Sequence, residues 1–434
     1  MLLIYTNQLT PRLKYTFSFF FGKLLGIDYR VTDDLDEFNV SHYPRISYTH
    51  QPVEGIPFIQ ARNLLFEKGI TEQNIHVFQW ENTCAFFATG KFSLLPFDPL
   101  AACFFLISRY EEYLPHVKDN YGRFEGRESF AEKNGFLHLP IINIWAEKTA
   151  KLLTSLFPNL SYQKVPFSVV PTIDIDNAWA YLEKGIPRTA GAIGKDLLTG
   201  DFKNLKQRIK TLFHTTKDSY DTYDLMKSIH AKAKLKPVFF FLLGDYGPMD
   251  RNISPFNTNL RHLIKSLADD YSIGIHPSFA SNNDVSILKK EIERLSGILN
   301  REVSISRQHF LKLEFPKTYL NLLELGIRED YTLGFADRPG FRAGTSVPFY
   351  FFDLDSEQET PLLLHPVTVM DATLKNYLKL NPEEGLNLAI QYLETVRTYG
   401  GQFMPLWHNE SLSESFDWIG WSTVYEQLIK TTEA

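Results

Sequence analysis

The run Val238–Leu243, which reads VFFFLL, is the feature that most constrains the fold. It is apolar throughout and lacks the polar–apolar alternation of a half-exposed strand, so it predicts a strand buried on both faces. Helical patterns at Asp224–Lys234 and Leu260–Ala268 precede this strand and the next one, Tyr271–Ile275. Strands that alternate with helices in this way favour a parallel sheet or a barrel over a β-sandwich. The second half of the chain is therefore predicted to be α/β.

Ionisable residues stand where several of these apolar runs end. VVPTIDIDNAW places Asp174 and Asp176 one residue apart. SIGIHPSF carries His276, and FMPLWHN carries His408. Because the carboxyl ends of parallel strands share one face, these side chains are expected to meet, and two aspartates on one side of a strand are tolerated where a cation or a proton transfer needs them. The structural alternative for the aspartates is an Asx-turn that closes the strand and caps a helix.

The first part of the chain has a different pattern. Leu2–Tyr5 is a short strand candidate, and Asp98 with the following proline is a typical start of an apolar helix. The charged, glycine-containing tract His116–Lys133 predicts a loop. We expect residues 1–165 to form an accessory α/β domain of unknown role, closely packed on residues 166–434 because no flexible linker is visible.

Composition limits the classes of function. The formal charge of −6 and the pI near 6.1 argue against a general nucleic-acid-binding protein. Cys84 and Cys103 stand among apolar neighbours, which excludes a disulfide framework and a cysteine zinc site. The early apolar stretch TFSFFFGKLLGI is too short to span a bilayer, and a secretory leader is not evident. We therefore expect a cytoplasmic protein without a transmembrane segment.

Four segments, TIDID, GIHPSF, SRQHF and PLWHN, occur in this order in the second half. They resemble the motif series of the polysaccharide deacetylases, the NodB-homology or carbohydrate esterase family 4 proteins, and KPVFFFLL resembles the family's second strand. The similarity covers about residues 167–425, and the N-terminal half has no counterpart in the core family. The resemblance implies a distorted (β/α) barrel in which a divalent metal, commonly zinc, assists hydrolysis of an N-acetyl or O-acetyl group on a sugar.

The resemblance also implies roles for individual residues. Asp174 resembles the general base, and Asp176 resembles the metal-binding acid. His276 resembles the first histidine ligand, and Arg307 in SRQHF resembles the arginine that orients the base. His408 resembles the histidine that protonates the leaving group.

Further roles follow from the same motifs. Phe310 stands near the position whose backbone N–H faces the oxyanion, and Trp407 is expected to wall the pocket of the closing histidine. The acid that holds this histidine is expected after the arginine motif, in order of preference at Asp330, Asp337 and Asp371. A plain loop acid is the alternative for each of the three.

The sequence departs from the family at the second histidine ligand. That ligand is expected four residues after His276, where this chain has Ala280. Two protein ligands hold a metal weakly, so either another residue supplies the third or metal binding has been lost. His309 in SRQHF is the preferred substitute, and a packed or groove-lining histidine is the alternative. Arg342, in the glycine-flanked GFRAG, is a candidate for binding a phosphate or carboxylate of the substrate, with a surface turn as the alternative.

Two functions from different classes follow. The first is a metal-dependent deacetylase that acts on an acetylated saccharide, with a divalent metal such as zinc as cofactor. The second is a catalytically inactive barrel that binds or assembles saccharides. Ala280 supports the second function, whereas the paired aspartates, Arg307 and His408 oppose it. A nucleotide cofactor has no supporting motif.

Overall fold

The computed structural model describes residues 1–433, and within this range the strands form two larger sheets and two small ones. The first larger sheet consists of β1 (Leu2–Tyr5), β2 (Tyr29–Thr32), β3 (Arg45–Thr49) and β4 (Phe58–Gln60). These strands are parallel and lie in the order β2-β1-β3-β4. A separate hairpin pairs β5 (Phe78–Trp80) with β6 (Thr83–Ala85).

The helices of the N-terminal part cover the first sheet and link it to the rest of the chain. They are α1 (Pro11–Phe17), continued by a π-helical segment at Ser18–Leu24, then α2 (Leu35–Val40), α3 (Pro99–Ile107), α4 (Tyr110–Tyr113), α5 (Phe130–Lys133) and α6 (Ile141–Leu156). The predicted start of α3 is confirmed, because the Asp98 carboxylate accepts the backbone N–H groups of Leu100 and Ala101. Every residue of α3 is buried.

The second larger sheet holds the site described below. Its strands are β8 (Thr172–Ile175), β9 (Val238–Leu242), β10 (Ser272–His276), β11 (Ile305–Ser306), β12 (Glu329–Asp330), β13 (Phe349–Asp353), β14 (Gln358–Leu364), β15 (Val369–Met370) and β17 (Pro405–His408). The small sheet of β7 (Phe167–Val169) and β16 (Gly401–Phe403) precedes β8 and β17 along the chain. In the range 1–433 these nine strands have the order β13-β14-β12-β11-β10-β9-β8-β17-β15 and are parallel except for the β13–β14 pair. The prediction of an α/β protein is confirmed, and the sheet curls into a half-barrel.

Helices follow or precede the strands of this sheet, as the sequence pattern predicts. They are α7 (Ile186–Thr199), α8 (Phe202–Leu212), α9 (Tyr223–Ala233), α10 (Thr258–Ala268), α11 (Val285–Leu299), α12 (Lys317–Glu324), α13 (Pro382–Tyr399) and α14 (Trp421–Thr431). A capping box starts α13, in which the side chains of Asn381 and Glu384 each accept the other's backbone N–H. Helices α7 and α8 form an insertion between β8 and β9.

Close packing inside the half-barrel requires a glycine on β10. A Cβ at Gly274 would lie 2.6 Å from Cε1 of Phe240 and 3.0 Å from the carbonyl oxygen of Ile305. The Phe240 ring fills the interior beside the Arg307 guanidinium, whose central carbon lies 4.5 Å from the ring centroid. Gly274 therefore leaves the space that lets this ring support the arginine.

One continuous cluster of buried apolar residues joins the two halves of the chain, from Leu2 in the first sheet to Ile429 in α14. Polar contacts cross the same boundary. The Arg12 guanidinium donates to the carboxylate of Glu357, and the Tyr15 hydroxyl donates to the carbonyl oxygen of Tyr350 at 2.6 Å. The halves therefore pack closely, while the domain boundary at residue 165 stays a prediction.

None of the helices between residues 1 and 433 combines the length and the apolar character that crossing a bilayer requires.

Candidate active site

The carboxyl ends of β8, β10 and β17 bring distant parts of the sequence together. The register pairs His408 with Asp174, and β10 ends at His276. Asp176 follows β8 directly, two residues after Asp174, so both carboxylates face the same side. A cavity of about 290 Å³ opens at this edge, and these four residues and His309 line it.

Asp176, His276 and His309 form a compact group of ligand-type atoms. One carboxylate oxygen and one ring nitrogen from each histidine all lie within 4.8 Å of one another. Nε2 of His276 is 3.2 Å from Oδ1 of Asp176, and Nε2 of His309 is 3.4 Å from Oδ2. Two imidazoles and one carboxylate are a donor set that suits zinc and similar first-row ions.

The partners of the two histidines indicate which ring nitrogens face this group as acceptors. Nδ1 of His276 lies 2.5 Å from the carbonyl oxygen of Arg307, which can only accept, so Nδ1 carries the proton. Nδ1 of His309 donates in the same way to the Asp250 carboxylate at 2.9 Å. When both rings are neutral, their Nε2 atoms then direct lone pairs towards Asp176, whose buried Oδ1 has no hydrogen-bond partner among residues 1–433. Facing lone pairs repel unless a cation lies between them, so this arrangement fits a metal ion.

The turn that contains Ala280 shows how His309 comes to face the group. Asp250, in the loop after β9, accepts the backbone N–H groups of Phe279 at 2.8 Å and of Ala280 at 3.2 Å. The same carboxylate holds Nδ1 of His309. Asp250 thus fixes the turn that contains Ala280 and also orients the histidine that lies opposite Asp176.

The electrostatics of the group favour positive charge. Burial lowers the pKa of His309, but the carboxylates of Asp176 and Asp250 outweigh it and raise that pKa to about 9. Burial raises the pKa of Asp176, but His309 and His276 reverse this effect and hold it well below its usual range. A proton on His309 or a metal ion would each satisfy this attraction.

Asp174 and Arg307 form a buried pair beside the group. Nη1 of Arg307 donates to Oδ1 of Asp174 at 2.9 Å and to the Thr172 hydroxyl at 2.8 Å, and Nε donates to the carbonyl oxygen of Tyr331. The other oxygen of Asp174, Oδ2, is 3.7 Å from Nε2 of His276. Arg307 therefore fixes one carboxylate oxygen and leaves the other facing the pocket.

His408 is held by Asp371 and not by Asp330, which corrects the order of preference given above. The Asp371 carboxylate accepts Nδ1–H of His408 at 2.9 Å and its backbone N–H at 2.8 Å. Burial lowers the pKa of His408, but Asp371 raises it well above the ordinary value. Asp330 is turned away because its carboxylate accepts from the hydroxyls of Ser306 and Thr332. Asp337, the second choice, accepts the backbone N–H of Gly126.

The tract His116–Lys133, which the sequence predicts to be a loop, ends in helix α5 (Phe130–Lys133) and reaches the pocket through Arg123. Arg123 donates through Nη1 to the carbonyl oxygen of Phe310 at 2.8 Å and through Nη2 to the Tyr377 hydroxyl at 2.9 Å. Phe310 has a left-handed backbone conformation with φ of 63°, which is rare for a residue with a side chain. The N-terminal part of the chain thus supplies a residue that supports the pocket wall.

Two further candidates lie outside the pocket. Trp407 is fully buried and packs on Tyr425, because it precedes His408 on β17 and points to the opposite side of the sheet. Arg342 is also buried, and its guanidinium donates to Glu112 and to the carbonyl oxygen of Gly334. Its guanidinium therefore ties the two halves together and does not line the pocket, and the alternative of an exposed surface turn does not fit its burial.

Some residues of the site were ranked too low or were not identified from the sequence. Asp371 is only the third choice for the acid that holds His408, although it directly follows strand β15 and so has the same strand-end signal as Asp174 and His276. Burial raises the pKa of Glu410, which lines the pocket two residues after His408. The other pocket and supporting residues had no recognisable signal, and they are Arg123, Asp250, Tyr377 and Trp418.

Comparisons with known proteins give limited similarity. Residues 2–158 match a family model described as "Family of unknown function (DUF7033)". No curated protein matches the chain. The family match covers the N-terminal part only, so it does not assign the half-barrel to a family.

Solved structures show distant similarity over about 62% of the chain. A protein assigned as a polysaccharide deacetylase from Mycobacterium smegmatis gives a TM-score of 0.42 and 15% identity, covering 62% of this chain and 85% of that one. Puue allantoinase gives a TM-score of 0.38 and 9% identity, covering 62% and 84%. A CE4 family pseudoenzyme from Bacillus anthracis gives a TM-score of 0.27 and 13% identity, covering 61% and 60%. At these values, function has to be argued from the site itself.

Proposed function

We propose that the protein is a metal-dependent hydrolase that removes an acetyl group from an N- or O-acetylated saccharide. The observation that carries the proposal is the convergence of the Asp176 carboxylate with the Nε2 atoms of His276 and His309. A buried aspartate–arginine pair and a charged histidine–aspartate pair flank this group. Hydrolysis of an acyl bond needs a base, an acid and a cation in one pocket.

Asp176, His276 and His309 would hold the metal ion. When bound, a divalent ion supplies Lewis-acid chemistry, which lowers the pKa of water and polarises an acyl carbonyl. The Nδ1 partners of the two histidines, the Arg307 carbonyl and Asp250, keep both Nε2 atoms available as ligands.

Asp174 is the proposed general base. Its Oδ2 atom faces the pocket 3.7 Å from Nε2 of His276, so it can reach a water held beside the metal-ligand group. Arg307 positions the carboxylate by binding its other oxygen, and the Thr172 hydroxyl positions Arg307 in turn. The base therefore has one free oxygen with a fixed direction.

His408 is the proposed general acid. Its pKa lies well above the ordinary value, mainly because Asp371 outweighs the effect of burial, so the ring carries a proton at neutral pH. Asp371 binds Nδ1–H, which leaves Nε2–H to donate to the departing amine or alcohol. Nε2 lies 4.0 Å from Oδ2 of the metal ligand Asp176, and His408 lines the same pocket as the base Asp174.

The pocket lining favours a sugar-sized substrate. Its volume of about 290 Å³ lies near the small end of ligand sites, which suits one sugar unit. The aromatic side chains of Phe310, Tyr377 and Trp418 line it and offer apolar faces against which a ring can pack. We assign the backbone N–H of Phe310 as a donor to the developing oxyanion.

The inactive saccharide-binding protein is the second candidate function. The loss of a histidine at Ala280 favours it. The raised pKa of His309 also favours this second function. A protonated His309 pairs with Asp176 and Asp250 and therefore satisfies both carboxylates without a metal ion.

Metal content and acetate release distinguish the two functions. Purified protein is analysed for bound metal and tested on acetylated sugars, beside Asp176→Asn and an exposed control, Asp245→Asn, whose partners are Lys290 and Arg294. The hydrolase proposal expects stoichiometric metal and acetate release in wild type and control, and loss of both in Asp176→Asn. Asp174→Asn should retain the metal and lose acetate release. Saccharide binding without metal or turnover would favour the second function.

A further inference from the structure

The insertion between β8 and β9 exposes large apolar side chains that nothing else in the molecule covers within residues 1–433. Six such side chains on or beside α7 and α8 are between 42% and 91% exposed. They are Ile186, Leu197, Leu198, Phe202, Ile209 and Phe213. We call these six residues the apolar patch.

The fully buried residues of the two helices in the insertion are polar. Asp196 on α7 and Arg208 and Thr211 on α8 are the buried residues of these helices. Nε of Arg208 donates to Asp196 at 2.8 Å, so an ion pair stands where a helix of a globular protein normally packs apolar side chains. This ion pair joins α7 to α8, while the six residues of the apolar patch face outward.

Basic side chains accompany the apolar patch. Residues 186–214 contain six basic and two acidic residues, a formal charge of +4 in a chain whose total is −6. Four exposed lysines of α7 and α8 form no ion pair within the described part of the chain. They are Lys195, Lys203, Lys206 and Lys210.

The patch continues towards the candidate active site. A cavity of about 480 Å³ separates α8 from the loop that carries Phe416 and Ile419, which are also exposed. Trp418, in the same loop, lines the active-site pocket. The loop therefore belongs to both surfaces.

We propose that the insertion α7–α8 docks the protein onto an anionic lipid bilayer. Helices that combine exposed apolar side chains with unpaired lysines lie in the interfacial region, where the apolar groups enter the lipid and the lysines contact acidic headgroups. A protein partner fits less well, because lysine is depleted at the centre of protein interfaces. Docking through this surface brings the loop of Trp418, and with it one wall of the pocket, next to the membrane.

Vesicle flotation of the full-length protein tests the proposal and does not depend on metal or turnover. Phosphatidylcholine vesicles with and without phosphatidylglycerol are compared, at low and high salt. The first variant removes apolar side chains by the substitutions Leu198→Ser, Phe202→Ser and Phe213→Ser. The second removes charge by Lys203→Gln, Lys206→Gln and Lys210→Gln. All six side chains are exposed, so the fold should persist, and circular dichroism verifies this.

The wild type should float with the anionic vesicles only, and salt should release it. Each lysine near an acidic surface strengthens binding roughly fivefold, so the triple glutamine variant should bind on the order of a hundredfold more weakly. The apolar variant should lose binding as well. A matched control replaces equally exposed apolar residues of the N-terminal half by the substitutions Val40→Ser, Phe92→Ser and Val117→Ser, and it should bind as the wild type does.

Three outcomes overturn the proposal. The first is a wild type that does not float with anionic vesicles. The second is binding that the patch variants and the control reduce equally. The third is a wild type that forms a dimer which the apolar variant dissociates, without any affinity for vesicles, since the patch would then be an interface between two copies of the chain.

Discussion

Replacing His309 by glutamine tests the central electrostatic feature of the site. In protein stripped of metal by a chelator, His309 lies between two carboxylates, with Nδ1 at 2.9 Å from Asp250 and Nε2 at 3.4 Å from Asp176. A protonated ring stabilises the folded state through both contacts. Glutamine has a similar size and can keep a hydrogen bond, but it cannot carry the charge.

The size of the effect follows from the pKa. In the folded protein the pKa of His309 is about 9, against an ordinary value of 6.5. Each pKa unit corresponds to about 1.4 kcal/mol, so the protonated ring contributes on the order of 3 kcal/mol to the free energy of unfolding. The pKa is raised on folding, so this stabilisation is complete below about pH 6.5 and is lost as the pH rises through about 9.

The assay is urea unfolding of the metal-free protein at several pH values across this window. The wild type should be more stable than His309→Gln by about 3 kcal/mol at the acidic end, and the difference should shrink towards the alkaline end. His262→Gln, at an exposed histidine, serves as control and should give no pH-dependent difference. A difference between wild type and His309→Gln that stays constant across the window would refute the proposed charge on His309.

Further predictions concern the acid, the pocket wall and the sheet. Asp371→Asn should lower the pKa of His408, shift the alkaline limb of the pH–rate profile of acetate release to lower pH, and reduce the rate at neutral pH by roughly 10²-fold to 10⁴-fold; an unchanged profile would contradict the assignment. Arg123→Met removes the donor to the Phe310 carbonyl, so kcat/KM should fall up to about 10²-fold at unchanged metal content; equal loss of metal would indicate general misfolding instead. Gly274→Ala should lower the free energy of unfolding by about 1–3 kcal/mol in a denaturant titration, because its Cβ would meet a phenylalanine ring at 2.6 Å.

The strands and the shared edge were predictable because they depend on local pattern and chain direction. The continuous apolar run of β9 is buried throughout, as a strand covered on both faces must be. Parallel strands place their carboxyl ends together, so Asp174, His276 and His408 meet in one pocket although they are far apart in the sequence.

The position of Trp407 outside the pocket follows from a local rule of strand geometry. Successive side chains of a strand point to opposite faces, so a residue next to His408 had to face away from the pocket. The structure buries it against Tyr425 on the helix side. The tryptophan that lines the pocket, Trp418, comes from the following loop.

The hydrogen-bond partners of His408 and Arg342 could not be derived from local sequence pattern. Asp330, Asp337 and Asp371 are chemically equivalent in the sequence, and long-range contacts decide which one meets His408. The Asp330 carboxylate accepts hydrogen bonds from two hydroxyls, and the Asp337 carboxylate accepts the backbone N–H of Gly126 in the N-terminal half. Arg342 likewise lies in a loop, and its local sequence does not indicate that its guanidinium donates to Glu112, 230 residues away.

The sequence by itself determined the α/β sheet and the edge where its ionisable residues gather, because hydrophobic periodicity and strand direction are local properties. Only the tertiary structure decided that His309 faces Asp176, that Asp371 accepts the Nδ1–H of His408 and that Arg123 donates to the pocket wall. Each of these contacts joins loops whose positions depend on packing between distant segments. Such packing produces no periodic pattern in the amino-acid sequence.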